Sequence, residues 1–446
     1  MEILNLYVSQ KLGQKDGYRM KVLEPIRRIL KSLESMPEWK YIAILCGIAF
    51  TLRVIWILVI QTLPIDDAGY YDRQAMNLIS GKGYVTKDGI TPTAYFPPGM
   101  AFILALVYSV FGHSITCAKL LNVVLGTATC LIVYLIAKNL LKSTTAQRLS
   151  GLLVAVFPGL VAYTSLLYSE TVFTFFFMLA VFLVIRIQAK KNIIILSIVT
   201  GLITGFACLI RSVLMVFPAL LLIYYLYTWR NIKRAVLTAA VIGVFFVLAI
   251  TPWIVRNYVA MDAFIPISTN GGVNFLTGSN PSANGKFPGG TISFTSAKDE
   301  IEIGNEGYRL GLDYALHNPM HYISLIPRKV FYFFASDYGG VQSSTKLTEN
   351  TIPREAITVL KIIFESWYIV ILAVAGIGLF FLNRRKWWYG APSLLPLIFI
   401  YFVAISAVTF GDGRFHMPLL PLISIIAGDT LVTLIVKEHG NEDKAV

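Results

Sequence analysis

The sequence predicts an all-α protein that crosses a membrane many times, and three observations carry this. Of the 446 residues, 56% are hydrophobic and only 14% are charged, where a soluble protein of this size carries roughly a quarter. Apolar runs of about 17–25 residues recur along the whole length, each long enough to span a bilayer as a helix. Basic residues sit in short clusters between these runs, the pattern of loops retained on the inner side of a membrane. That placement accounts for the net charge of +13 without a nucleic-acid partner.

In chain order, the first forty residues are mixed polar and basic. They read as an inner segment, with no cleavable leader, because the first apolar run starts near Tyr41 and is too long and too late for one. Ten runs read as spans: 41–62, 115–138, 149–168, 170–188, 192–210, 213–229, 236–255, 355–382, 391–410 and 415–436. Two shorter runs, 99–111 and 322–335, are settled by charge. Four short loops carry three cations each and no acid: Lys138/Lys142/Arg148, Arg186/Lys190/Lys191, Arg230/Lys233/Arg234 and Arg384/Arg385/Lys386. If 99–111 does not cross, all four lie inside; if it crosses, three of them move outside, against the charge rule. The same parity applies to 322–335, so both runs are expected to lie in the interface.

The domain reading is therefore an inner segment 1–40, a transmembrane domain 41–436 with both ends inside, and a tail 437–446. Two sizeable outer segments remain, 63–114 and 256–354. In the second, eight Lys/Arg are balanced by eight Asp/Glu, unlike the inner loops. Its Gly-, Asn- and Pro-rich stretch "STNGGVNFLTGSNPSANGKFPGG" reads as a long ordered loop. The four cysteines, Cys46, Cys117, Cys130 and Cys208, fall in or beside apolar runs and show no ligand or disulfide spacing.

Chemistry-bearing residues collect at the outer ends of the spans. After the first span, "LPIDDAGYYDRQAMNLISGKGY" places Asp66 and Asp67 at the start of an amphipathic helix, on which Tyr71, Ala75, Leu78 and Ile79 recur at helical spacing. Gly81 and Gly83 end it. One aspartate is expected to cap this helix. A second adjacent carboxylate is not needed for capping, and it opens a catalytic or metal-binding reading. Next, "TPTAYFPPGMAF" sets Pro97 and Pro98 before an apolar helix. Its rings either anchor at the interface or line a groove for a lipid. Glu170 in "LLYSETVF" reads either as an exposed turn residue or as a third acid facing the same side. Arg211, Arg256 and Arg414 are cations at outer span ends. Each either snorkels or helps grip one shared anion, most simply a phosphate. His416, two residues after Arg414, is a further donor to such an anion. Asn270, Asn274 and Asn280 lie among glycines, offering amides to hydroxyl groups or simply making turns. No zinc spacing, Walker loop, GxSxG or dinucleotide fingerprint occurs.

Taken in order, these stretches resemble the polytopic GT-C-fold glycosyltransferases. The closest likeness is to bacterial and archaeal relatives of protein O-mannosyltransferases and of the lipid A aminoarabinose transferase. The likeness runs through "IDDAGYYDRQAMNLISGKGY", "YFPPG", "AKLLNVVLGTATCLIVYLIAKNL", "FPGLVAYTSLLYSETVFTFFFMLA", "TPWIVRNY" with "FIPISTNGGVNFLTGSNP", and "GDGRFHMPLLPLI". It implies a donor sugar linked through phosphate to a polyprenyl or dolichyl lipid. It also implies a lipid, glycan or protein acceptor, transfer with inversion, and a plasma-membrane site facing away from the cytoplasm. Asp66, Asp67 and Glu170 would be the catalytic acids, with Asp66 as base. Arg211, Arg256, Arg414 and His416 would hold the donor phosphate. Tyr70, Tyr95, Phe96, Pro97, Pro98 and Asn274 would line the groove. No cofactor is firmly implied; some members use a divalent metal ion between acidic residues and others do not. One departure stands out: where lipid A relatives often carry a lysine before the Pro-Pro pair, this chain has Tyr95 and Phe96, so Lys329 joins the candidate phosphate ligands. A transporter or flippase of the same lipids, or a lipid-linked glycan ligase or polymerase, would share the compartment. A transporter would place ionisable residues near mid-membrane, and the apolar runs here are nearly free of charge.

Overall fold

The computed structural model describes residues 24–25, 27–189, 193–287, 299–348 and 352–442, with side chains up to 435. Lys190, Lys191, residues 1–23 and residues 443–446 of the predicted tail lie outside the described residues.

Among the described residues the chain is helical, with isolated bridges and no strand. The elements are α1 (Glu38–Val59), α2 (Asp67–Ile79), α3 (Gly99–Phe111), α4 (Ile115–Leu140), α5 (Thr144–Ala155), α6 (Pro158–Ala162), α7 (Ser169–Gln188), α8 (Ile193–Ile210), α9 (Phe217–Thr228) and α10 (Ile232–Met261). They continue as α11 (Gly271–Thr277), α12 (Glu300–His317), α13 (Pro319–Phe334), α14 (Gly339–Lys346), α15 (Arg354–Ile377), α16 (Arg384–Trp388), α17 (Leu394–Val408), a 3₁₀ segment Gly413–Leu419, and α18 (Leu420–Glu442).

Among the described residues eight helical segments are long and apolar enough to cross a membrane, and this is a multi-pass membrane protein. The other two predicted spans are not continuous helices. The run 149–168 is α5 followed by α6 and a 3₁₀ turn, bent by 48° at a break before Pro158, where the proline ring ends the preceding helix. The run 213–229 is a 3₁₀ turn plus the 12-residue α9, about 18 Å of helix and shorter than a bilayer core. The outer segment 256–354 is also less loop-like than its composition suggests: it folds into α11 to α14.

Without a hydrophobic drive inside lipid, helices associate by close backbone approach. Gly201 and Gly205 of α8 provide it against α10. A Cβ on Gly201 would stand 2.5 Å from Ile242 O, and one on Gly205 2.7 Å from Phe246 O. With thirty residues, α10 is about 45 Å long, longer than a bilayer core of about 30 Å. Its last turns carry Trp253 and Arg256 onto the segment 63–114, where Arg256 donates to Tyr84 O and Thr93 O. At the opposite end of the bundle, Lys138 pairs with Glu38 (2.5 Å) and Lys386 with the buried Asp429 (2.7 Å).

Candidate active site

Asp66 and Asp67 arrive at the bundle end because α1 stops at Val59 and a short extended link turns the chain into α2. Thr62 and Lys119 fix that link: the Lys119 ammonium donates to Thr62 O at 2.7 Å, and Thr62 Oγ1 donates to Ser165 O. Neither aspartate caps α2 with its side chain. Asp66 occupies the cap position at φ 54°, ψ −129° and makes no capping hydrogen bond, contrary to the capping expectation. A non-glycine residue held there is strained by about 1–3 kcal/mol.

The two carboxylates then part company. Asp67 Oδ2 lies 3.0 Å from Arg414 Nη2. The same guanidinium reaches Glu170, with Nε and Nη2 at 2.9 and 2.7 Å from Oε1. Arg211 Nη1 stands 2.9 Å from that oxygen, an ion-pair contact not aligned for a hydrogen bond. Tyr168 lies under the Arg414 guanidinium at 4.7 Å. Glu170 is fully buried, which removes the exposed-turn reading. Residues 67, 170, 211 and 414 thus form one cluster of two acids and two arginines.

Asp66 stays outside this cluster. Its side chain is 53% exposed, and its nearest ionic partner is Lys346 at the end of α14, 3.6 Å away. Around the pair, Phe96 packs edge-on to Tyr70 at 4.9 Å and near Tyr71 at 5.8 Å. Tyr95 is exposed beside them, while Pro97 and Pro98 are buried. Burial pushes the hydroxyls of Tyr70 and Tyr95 up. Gly99 lets α3 start against the end of α8: a Cβ there would stand 2.8 Å from Ile210 N.

Other predicted phosphate ligands are elsewhere. Arg256 is used as a brace: it donates to Thr93 O (2.8 Å), Tyr84 O and Asn257 Oδ1 (3.1 Å), and its guanidinium lies 5.0 Å from the Trp253 ring. His416 is fully buried and faces away from Arg414. Its Nδ1 is 2.6 Å from Phe333 O, Nε2 is 3.4 Å from Asp337 Oδ1, and the ring stacks on Tyr368 at 4.7 Å. Lys329 donates to Ala407 O and Val408 O (3.1 and 3.3 Å), capping the end of α17, and burial lowers its ammonium to about 8. Asn274 sits half-buried on α11.

Three residues at or near this end were not singled out from sequence. Lys346 lay in an unmarked part of the outer segment. Glu300 holds the approach to "YFPPG", accepting from Thr93 Oγ1 (2.5 Å) and Ala94 N (2.7 Å); its signal was its place in the first turn of a helix. Asp337, whose carboxyl is pushed up by burial, had no local signal.

As for metal, no group of three or more His, Cys, Asp or Glu among the described residues is placed to hold an ion. The clustered carboxylates are already met by Arg414 and Arg211, so the residues present do not fit a divalent ion in this arrangement.

Residues 96–255 match the family model described as dolichyl-phosphate-mannose-protein mannosyltransferase. No curated protein matches the chain. Among solved structures, the oligosaccharyltransferase AglB of Archaeoglobus fulgidus, in complex with an inhibitory peptide and a dolichol-phosphate, aligns with TM-score 0.56 at 15% identity over 92% of this chain and 52% of its own. This is a GT-C fold. The same oligosaccharyltransferase in complex with Zn and sulfate aligns at 0.55 and 15% identity, over 90% of this chain and 49% of its own. The chain thus spans about half the length of AglB. ArnT of Cupriavidus metallidurans bound to undecaprenyl phosphate gives TM-score 0.45 at 14% identity, over 89% of this chain and 78% of its own.

Proposed function

We propose that the protein is an inverting glycosyltransferase that moves a sugar from a polyprenyl- or dolichyl-phosphate donor to a hydroxyl acceptor. The site lies on the extracytoplasmic face of the plasma membrane, and residues 41–436 act as one catalytic transmembrane domain. The observation that carries this reading is the division of labour between adjacent carboxylates. Asp67 is tied through Arg414 to buried Glu170, while Asp66 beside it is exposed, strained and only loosely paired. The family model and the lipid phosphate in the AglB complex support the donor class. The charge bias of the loops supports the outer face.

In this reading Asp66 takes the proton from the acceptor hydroxyl as its oxygen attacks the anomeric carbon. The bond from that carbon to the phosphate oxygen breaks, and the lipid phosphate leaves with the electron pair. Attack opposite the leaving group inverts the anomeric centre. Arg211 and Lys346, with Arg414 held between its carboxylates, face the developing phosphate charge, where fixed cations stabilise it. Tyr70, Tyr95 and Phe96 form one wall of the donor groove. Asp67 and Glu170 hold Arg414 in place rather than touching the sugar.

Purified protein would be offered dolichyl-phosphate mannose and undecaprenyl-phosphate aminoarabinose in turn, with release of lipid phosphate followed. Release by the wild type that is lost in Asp66→Asn supports the assignment. Equal release by Asp66→Asn, with Asp67 intact, removes Asp66 as base. No release from any polyprenyl-phosphate sugar offered removes the transferase reading. Orientation is tested by cysteines placed at Ser143 and Ser282: labelling of position 143 from outside intact cells overturns it.

A further inference from the structure

The first span carries a buried charge near its middle. Arg53 of α1 is 1% exposed, in a helix otherwise apolar between Tyr41 and Val59. A guanidinium in this setting is costly unless its charge is met. Its Nη1 donates to Ala49 O (3.0 Å) and to Ala155 O (3.1 Å). Ala155 is the last residue of α5, so this nitrogen meets the negative end of the broken helix. Nε remains buried with no partner. Among the described residues no carboxylate lies within ion-pair distance of Arg53; Glu170, on the helix that carries Thr171 and Thr174, is paired through Oε1 with Arg211 and Arg414.

Gly126 makes room for this nitrogen, since a Cβ there would stand 2.7 Å from Arg53 Nε. A small cavity opens beside it, lined by Arg53, Thr129, Thr171, Thr174 and Met417 among others, with space for about one water-sized particle. The hydroxyl of Thr129 is used on Leu125 O (2.8 Å). Those of Thr171 and Thr174, 4% and 2% exposed, have no partner. Three buried donors, one of them cationic, therefore line one cavity with nothing to donate to. A water molecule would satisfy the hydrogen bonds and leave the charge uncompensated; an anion answers both.

We propose that this cavity binds a small monovalent inorganic anion, chloride under cellular conditions, held by the Arg53 Nε–H and the hydroxyls of Thr171 and Thr174. The anion would join α1, α4, the α5–α6 break and α7 directly beneath the candidate active site, because Met417 follows Arg414 by one 3₁₀ turn and Thr174 follows Glu170 by one helical turn.

The test compares purified full-length protein in sodium gluconate, chloride and bromide at constant ionic strength. The thermal midpoint should rise and saturate with chloride and bromide. Thr171→Val/Thr174→Val keeps the side-chain shape and should fold but lose at least tenfold in halide sensitivity. Crystals grown with bromide should show one anomalous peak in the cavity. A midpoint identical in all three salts overturns the proposal, as does equal halide dependence in the double variant, or an anomalous map without a peak over a density of water.

Discussion

Arg414 and His416 stand two residues apart and face pockets of opposite character. The Arg414 pocket is about one-third open and holds two carboxylates and a second arginine. The His416 pocket is sealed, with Phe333 O, the Asp337 carboxyl and the Tyr368 ring against the imidazole. A carbonyl oxygen only accepts, so Nδ1 carries a proton toward Phe333. Nε2 then stands 3.4 Å from a carboxyl that burial drives toward its neutral form. Segment Gly413–Leu419 is a 3₁₀ helix, where residues two apart point about 120° away from each other. Similar residue types are thus committed to chemistry on one side of the backbone and to packing on the other, and exposure separates the two roles.

The sharpest way to break this contrast is at Asp66. In Asp66→Asn, turnover should fall by about 10²–10⁴-fold with an unchanged melting temperature. Asp66→Gly should lose as much activity yet gain about 1 kcal/mol of stability, because glycine accepts φ 54° without strain. Thermal melts and lipid-phosphate release on the same preparations check both; a stable variant that keeps its turnover would place the chemistry elsewhere.

Next is Arg414→Gln, which leaves buried Glu170 with only Arg211. Breaking a buried pair of this kind costs about 3–5 kcal/mol, and turnover should fall with it. Glu170→Gln combined with Arg414→Gln should recover part of the stability but none of the activity, measured as a double-mutant cycle.

His416→Gln should cost about 1–3 kcal/mol in a chemical melt by leaving buried partners unmet. Turnover per folded molecule should stay within about twofold of wild type, since nothing in that pocket reaches Asp66. A loss as large as that of Asp66→Asn would merge the two pockets into one function.

The smallest expected effect is at Lys329. Its folded ammonium titrates at about 8, below its ordinary 10.5, because of burial. Between these values the unfolded chain binds more protons than the folded one, so this residue makes stability rise with pH over that window. Lys329→Met should flatten that part of the pH–stability curve; an unchanged slope would show that the ammonium is not buried as drawn.

Much of the architecture was legible in the sequence because it depends on local chemistry. Eight of the ten long apolar runs became helices long enough to span a bilayer. Gly81 and Gly83 both take the positive φ that ends α2, and Pro97–Pro98 stand where α3 begins. The acidic pair was visible because charge is rare in this chain. Arg53, the one cation within the first apolar run, carried no local signal of a role, which waits on Gly126, Thr171 and Thr174, brought to it only by folding.

What the sequence determined by itself is most of the long apolar helices and which residues fall near one end of them. Period and composition act within a few residues, so they reach no further. Only the tertiary structure decided that Arg414 meets Asp67 and Glu170, that Arg256 braces Thr93 instead of a ligand, and that His416 turns inward. Those choices join residues hundreds of positions apart. They are set by which helix ends pack together and by how each buried charge finds its partner.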